Sequence, residues 1–271
     1  MTAPAVTLTE PLGPAGGPLL VLAHSLGTGP LLWELALPAL AARYRVSLLT
    51  LPGHGRTPVP AEPFTMDELA DATADAIRGV SDEPVLYAGV SIGGALGLAL
   101  ASRHPEVLVG AAIIAAGAEM GTPEHWRARA ALVREQSTSV LLIPSAKSWF
   151  APDSIARHPD LTGRILHALQ GTDDEGYARC AEALATYDVR DRLDDIRVPL
   201  LAVWGEHDAV APETKQDEIV RHVAGSRAVR IDDAGHQPPA EQPEAVASAL
   251  LAFADETVRA REAARAAEAA R

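Results

Sequence analysis

The chain has 271 residues, enough for one α/β domain with a sizeable core, and its 48% hydrophobic and 22% charged content is that of a soluble globular protein. A formal net charge of −13 with no Lys- or Arg-rich cluster excludes nucleic acid and anionic membrane surfaces as partners, because both would be repelled. The longest apolar runs, such as Val107 to Ala116, are too short to span a bilayer, and a single cysteine, Cys180, excludes an internal disulfide.

From the N-terminus, Met1-Thr2-Ala3-Pro4 lacks the basic start and apolar stretch of an export signal, which predicts a cytoplasmic protein. Short aliphatic runs then alternate with helical patterns. Leu19 to Ala23 reads as a buried strand, Leu31 to Ala42 as a helix and Val46 to Leu49 as a second strand. Met66 to Gly79 reads as a helix opened by a capping box, with Thr65 as N-cap and Glu68 three residues on. Val85 to Ala88 is a strand, Ser91 to His104 a helix stopped by Pro105, and Val107 to Ala115 another strand. Nearly continuous apolar strands separated by helices predict a mostly parallel sheet with helices on both faces, joined by right-handed crossovers.

The alternation breaks over residues 117–198. Helical patterns at Glu124 to Gln136, Asp160 to Leu169 and Glu175 to Tyr187 occur there without convincing strands. Such an insertion predicts a helical cap over the carboxyl edge of the sheet, where open α/β sheets bind ligands. Residues 1–116 and 199–271 would form the core. Leu200 to Trp204 and Ala228 to Ile231 resume the strands, and Ala245 to Ala254 reads as the closing helix. The tail Asp255 to Arg271, rich in Ala, Arg and Glu, has no strong apolar stripe and is expected to be a solvated helix extension with a fraying end.

Four segments carry chemistry. The strand Val85 to Ala88 runs into Gly89-Val90-Ser91-Ile92-Gly93 and then a helix, the strand-turn-helix context of a G-x-S-x-G nucleophile elbow. The glycines let a strained turn expose the serine, while the Ile92 N–H and the helix N-terminus face a developing oxyanion. His236 follows the last strand on a loop and is the expected base. Asp208, after the strand Leu200 to Trp204, is the expected acid, with Glu206 as the weaker competitor and Asp232 and Asp233 read as a solvated turn. The chain order Ser91, Asp208, His236 is the order this arrangement requires. The loop His24-Ser25-Leu26-Gly27 after the first strand would supply the second oxyanion donor, the Leu26 N–H, with His24 and His54 holding loops by hydrogen bonds.

At these residues the chain resembles the α/β-hydrolase superfamily over nearly its whole length, and within it the 3-oxoadipate enol-lactonases of the β-ketoadipate pathway. The likeness is carried by Ser25-Leu26-Gly27-Thr28 with Trp33, by Gly53-His54-Gly55, by the elbow, and by Thr172-Asp173-Asp174-Glu175-Gly176-Tyr177 through Cys180 to Asp188-Val189-Arg190-Asp191. Trp126 and Trp149-Phe150 also look like the lactonase cap. Residues 136–148 depart from that pattern, and Ser148 stands where an arginine is expected.

The resemblance implies an α/β-hydrolase fold, with the cap inserted before the strand leading to the acid, and a Ser91 acyl-enzyme that opens a small carboxylate-bearing lactone. No metal or organic cofactor is called for, and the expected partner is a small-molecule substrate, bound by a monomer or small homo-oligomer. A substrate carboxylate needs a cation or hydrogen-bond donors. Arg127, Arg129 and Arg134 on the first cap helix are candidates, as is Lys147, with Ser25, Trp126 and Trp149 as further pocket residues. Competing activities on the same scaffold are a general carboxylesterase, a cofactor-free perhydrolase and a carbon–carbon bond hydrolase. A non-catalytic ligand receptor is the alternative outside enzymology.

Overall fold

The computed structural model describes residues 4–270; residues 1–3, where the N-terminal reading above begins, and residue 271 lie outside the described residues. Seven strands form one sheet: β1 (Thr7–Leu8), β2 (Leu19–Ala23), β3 (Arg45–Thr50), β4 (Val85–Val90), β5 (Leu108–Ile114), β6 (Leu200–Gly205) and β7 (Arg227–Ile231). Their order is β1-β3-β2-β4-β5-β6-β7, with every pairing parallel except that of β1 with β3. Every residue of β2, β4, β5 and β6 is buried, which is why these strands read as unbroken aliphatic runs. β1 is two residues long and partly exposed, so it leaves no pattern to read.

The helices are α1 (Leu37–Ala41), α2 (Met66–Arg78), α3 (Ile92–Arg103), α4 (Pro123–Gln136), α5 (Leu142–Trp149), α6 (Ser154–Arg157), α7 (Pro159–Gln170), α8 (Asp174–Ala185), α9 (Glu213–His222), α10 (Pro238–Glu241) and α11 (Pro243–Ala269). The capping box at Thr65 and Glu68 is formed in both directions. The single helix expected over residues 31–42 is instead a 3₁₀ turn, Pro30–Trp33, followed by α1. Pro38 causes the break: it has no N–H to continue a helix and its ring clashes with the carbonyl four residues back, so it is tolerated only in the first turn of a new helix. The tail matches the expected solvated helix extension, exposed over most of residues 259–270. α11 runs on to Ala269, with Thr257 buried and Arg261 and Arg265 both paired with Glu83.

α1 and α11 pack together, as do α2 and α3; α11 also touches β5 and β7, and α3 touches β4 and β5. Helices α4 to α8 occupy the connection between β5 and β6 and are called the cap below. The cap meets the core at loops that follow the strands. A Cβ on Gly176 of α8 would lie 2.5 Å from the Gly53 Cα, so only glycine at both positions permits this backbone-on-backbone approach. No helix among the described residues is long and apolar enough to cross a membrane.

Candidate active site

The carboxyl ends of β2, β4, β6 and β7 each deliver one part of the site. β4 ends at Val90, and Ser91 turns the chain into α3 with φ 56° and ψ −117°, a combination that a residue bearing a Cβ adopts only under constraint. Here the constraint is visible. A Cβ on Gly89 would lie 2.1 Å from the Gly93 carbonyl oxygen, and one on Gly93 would lie 2.9 Å from the His24 carbonyl oxygen. The turn is therefore pressed against both its own helix and the loop after β2. Tyr87 adds a clamp, its buried hydroxyl donating to the Gly93 carbonyl at 2.7 Å.

Asp208 follows β6 and His236 follows β7, and both are buried. The His236 Nδ1 lies 3.0 and 2.9 Å from the two carboxylate oxygens of Asp208, so the Nδ1–H is donated to the carboxylate and Nε2 is left as the accepting nitrogen. Asp208 also accepts the N–H groups of Val210 and Ala211, at 2.8 and 2.9 Å. Burial opposes its ionisation, but His236 and the two backbone donors outweigh burial and hold the carboxyl below the usual range. The competitor Glu206 is exposed, accepts the Asp233 N–H and lies near Arg230, without a bond to His236.

The loop carrying His236 is fastened at three points. Its own N–H donates to the Trp149 carbonyl of the cap at 2.8 Å. The next residue, Gln237, accepts the Ser25 hydroxyl at 2.9 Å. Glu241, also buried, accepts the N–H groups of Ala151 in the cap and of Gly235 and Gln237 in the loop. Burial pushes the Glu241 carboxyl up, against the pull of these donors. The Ser25–Gln237 bond also locates the imidazole. β4 stands between β2 and β6 in the sheet, so a loop bonded to Asp208 on one side and Ser25 on the other crosses the rim where Ser91 sits. The Ser91 hydroxyl itself makes no hydrogen bond among the described residues; such contacts are commonly long or poorly aligned without substrate and tighten in the reacting complex.

The oxyanion donors expected at Leu26 and Ile92 are both unpaired among the described residues. Leu26 is the second residue of a turn closed by the Thr28 N–H on the Ser25 carbonyl, and its own N–H has no acceptor. Ile92 opens α3, where a helix leaves its first N–H groups without intrahelical partners. His24 and His54 hold these loops. The Leu51 N–H donates to His24 Nε2 and the Gly27 N–H to His54 Nε2, at 3.1 and 2.9 Å. His54 then carries its hydrogen on Nδ1, donated to the Pro52 carbonyl, while His24 Nδ1 lies 2.8 Å from the Ser25 carbonyl oxygen and 3.1 Å from the Gly29 nitrogen. Burial and the neighbouring His54 bring the His24 pKa down to about 3, and burial brings that of His54 down to about 4, so both rings are neutral.

The expected pocket residues separate clearly. Trp126 and Trp149 are buried in the cap, the former donating its indole N–H to the Met120 carbonyl. Arg134 is corrected as a carboxylate reader: Glu175 and Glu182 occupy its guanidinium, so no edge remains for a substrate. Arg127 is exposed and lines a groove with Phe64, Thr65 and Glu182. Cys180 is buried, with its thiol against the Pro52 carbonyl. Gln237 and Glu241 are the residues the sequence reading missed. Their only signal is position, one and five residues beyond His236.

A profile of the alpha/beta hydrolase family matches residues 20–249. The chain belongs to this family. Among its relatives is 3-oxoadipate enol-lactonase 2 of Acinetobacter baylyi, 31% identical over 240 residues that cover 89% of this chain and 90% of that one. The enol-lactonase from Burkholderia xenovorans LB400 superposes with a TM-score of 0.88 at 30% identity, covering 92% and 96% of the two chains. A thermophilic esterase from Thermogutta terrifontis, solved with malate bound, gives a TM-score of 0.87 at 25% identity and 93% coverage of both. The alpha/beta hydrolase fold and the likeness to enol-lactonases expected from the sequence are thereby borne out, and the protein is a hydrolase.

Proposed function

We propose that the protein is a serine hydrolase that opens a small carboxylate-bearing lactone, with 3-oxoadipate enol-lactone as the substrate its relatives indicate. One observation carries the reading: the buried Asp208–His236 pair, in a loop drawn across the elbow by the Ser25–Gln237 bond. His236 Nε2 takes the Ser91 proton as the hydroxyl attacks the lactone carbonyl, and Asp208 stabilises the imidazolium that forms. The Leu26 and Ile92 N–H groups receive the oxyanion, each contributing about 3 kcal/mol to the transition state. Collapse of the tetrahedral intermediate breaks the ring C–O bond, and the imidazolium of His236 returns its proton to the departing enolate, which ketonises. His236 then activates a water that releases the acid and restores Ser91.

The malate bound to the Thermogutta esterase and the dicarboxylate named for the Acinetobacter lactonase both support an anionic substrate. Purified protein incubated with the enol-lactone and with simple aryl esters provides the test. Loss of the enol-lactone ultraviolet absorbance, together with stoichiometric fluorophosphonate labelling that Ser91→Ala abolishes, is expected. Fast aryl-ester turnover without loss of that absorbance would replace the lactonase with a general esterase. Folded protein that takes no label would leave a receptor.

A further inference from the structure

The cap holds an oriented arginine whose charge no carboxylate balances. Arg134, Arg164, Arg179, Arg190 and Arg192 are each paired with Asp or Glu. Arg127, Arg129 and Arg157 have no carboxylate partner among the described residues, in a chain where 36 acidic residues face 23 basic ones; Arg127 and Arg157 are exposed, and Arg129 on α4 is the half-buried one. It is nonetheless held in place. Its Nε donates to the buried Tyr177 hydroxyl at 2.8 Å, and its guanidinium carbon lies 5.8 Å from the Trp126 ring centroid and 5.9 Å from that of Tyr177. Both rings are themselves fixed. The Trp126 indole N–H is tied to the Met120 carbonyl, and the Tyr177 ring edge would lie 3.2 Å from a Cβ on Gly27, next to the oxyanion donor Leu26. One tyrosine ring thus separates this guanidinium from the loop that would hold the oxyanion.

A half-buried guanidinium loses hydration, and two aromatic faces return only part of it. The bond to Tyr177 uses Nε, so the two Nη groups remain as a fork of donors, the geometry that receives a carboxylate through two parallel hydrogen bonds. We infer that Arg129 binds the non-reacting carboxylate of the substrate and sets a preference for anionic over neutral acyl substrates. This rests on the serine-hydrolase reading given above and assigns the part of the site that reads substrate charge.

The test is a ratio. Wild type, R129M and R129K are compared by kcat/KM on mono(4-nitrophenyl) succinate, which carries a free carboxylate, and on neutral 4-nitrophenyl acetate. Wild type is expected to favour the succinate, and R129M to lose about 10- to 100-fold of that preference, the range for hydrogen bonds to a charged group. R129K should recover part of it, since a point charge remains without the fork. Tyr177→Phe, which removes the Nε anchor but keeps the charge, should retain most of it. A wild-type preference that R129M preserves would overturn the role of Arg129 and leave the hydrolase reading intact. A wild type indifferent to the carboxylate would instead overturn the anionic-substrate reading, and the Arg129 role with it. Acetate turnover reports on folded enzyme, and R129Q supplies the same ratio if R129M does not fold.

Discussion

The carboxyl rim of the sheet and the cap above it are held by different physics. At the rim the contacts are buried, short and mostly to backbone: His24 bridges three main-chain groups and His54 two, Glu241 gathers three N–H groups, and Gln237 fastens one loop to another. In the cap the polar contacts are largely partly exposed ion pairs, such as those joining Arg134 to Glu175 and Glu182 and Arg164 to Glu34. Buried bonds are costly to break because each leaves a polar group unsatisfied, whereas exposed ion pairs contribute little. Reaction geometry is therefore fixed by the rim, and the cap is free to vary in sequence wherever it does not touch that rim.

This contrast is open to attack by substitution, starting with the largest effect. Ser91→Ala should lower kcat by about 10⁶-fold with melting temperature nearly unchanged, as measured by ester turnover and calorimetry. Asp208→Asn, which keeps the shape but favours the wrong imidazole tautomer, should cost about 10⁴-fold in kcat. Comparable activity in either variant would remove the rim from the chemistry.

Acid should weaken the rim before the cap. The pKa values of about 3 and about 4 for His24 and His54 lie below the ordinary value of 6.5. Their stabilising contribution is complete above pH 6.5 and is lost as the pH falls towards those values, because only the unfolded chain takes up the protons. Each should subtract about 1.4 kcal/mol per pH unit over that window. Urea midpoints measured from pH 7 to pH 5 should fall accordingly, and a flat profile would contradict two neutral buried rings.

Where cap meets rim, Gly176→Ala should force apart the contact with Gly53 and cost about 2 kcal/mol, or roughly 5 °C in melting temperature. Within the cap, Arg134→Ala should change stability by less than about 1 kcal/mol and leave turnover unaltered. If it disturbed turnover more than Gly176→Ala, the division between rim and cap would be misplaced.

How much of this was legible in the sequence follows the same division. β2, β4, β5 and β6 could be read because burial on both faces makes their residues uniformly apolar, and the elbow because its glycines are demanded by local clashes. The contact of Asp208 with His236 could be read because both follow strand ends at the same rim of the sheet. Helices α5 and α9 left no readable pattern: α5 carries Pro144 in its first turn, and only Gln216 and Ile219 are buried in α9. The pairing of Arg134, the openness of Arg129 and the grip of Glu241 depend on residues 41 to 90 positions away along the chain. No local pattern encodes such distances.

The hydrogen bond from the His236 backbone to the Trp149 carbonyl, with that of Ala151 to Glu241, has a practical meaning for protein engineering. Exchanging caps between scaffolds is an obvious route to new substrate ranges. A chimaera built on this scaffold must keep the strip from Trp149 to Ala151 as native sequence, since its main chain doubles as a splint for the loop of His236, the proposed base. A donor cap trimmed short of that strip would bring its own pocket and an idle histidine.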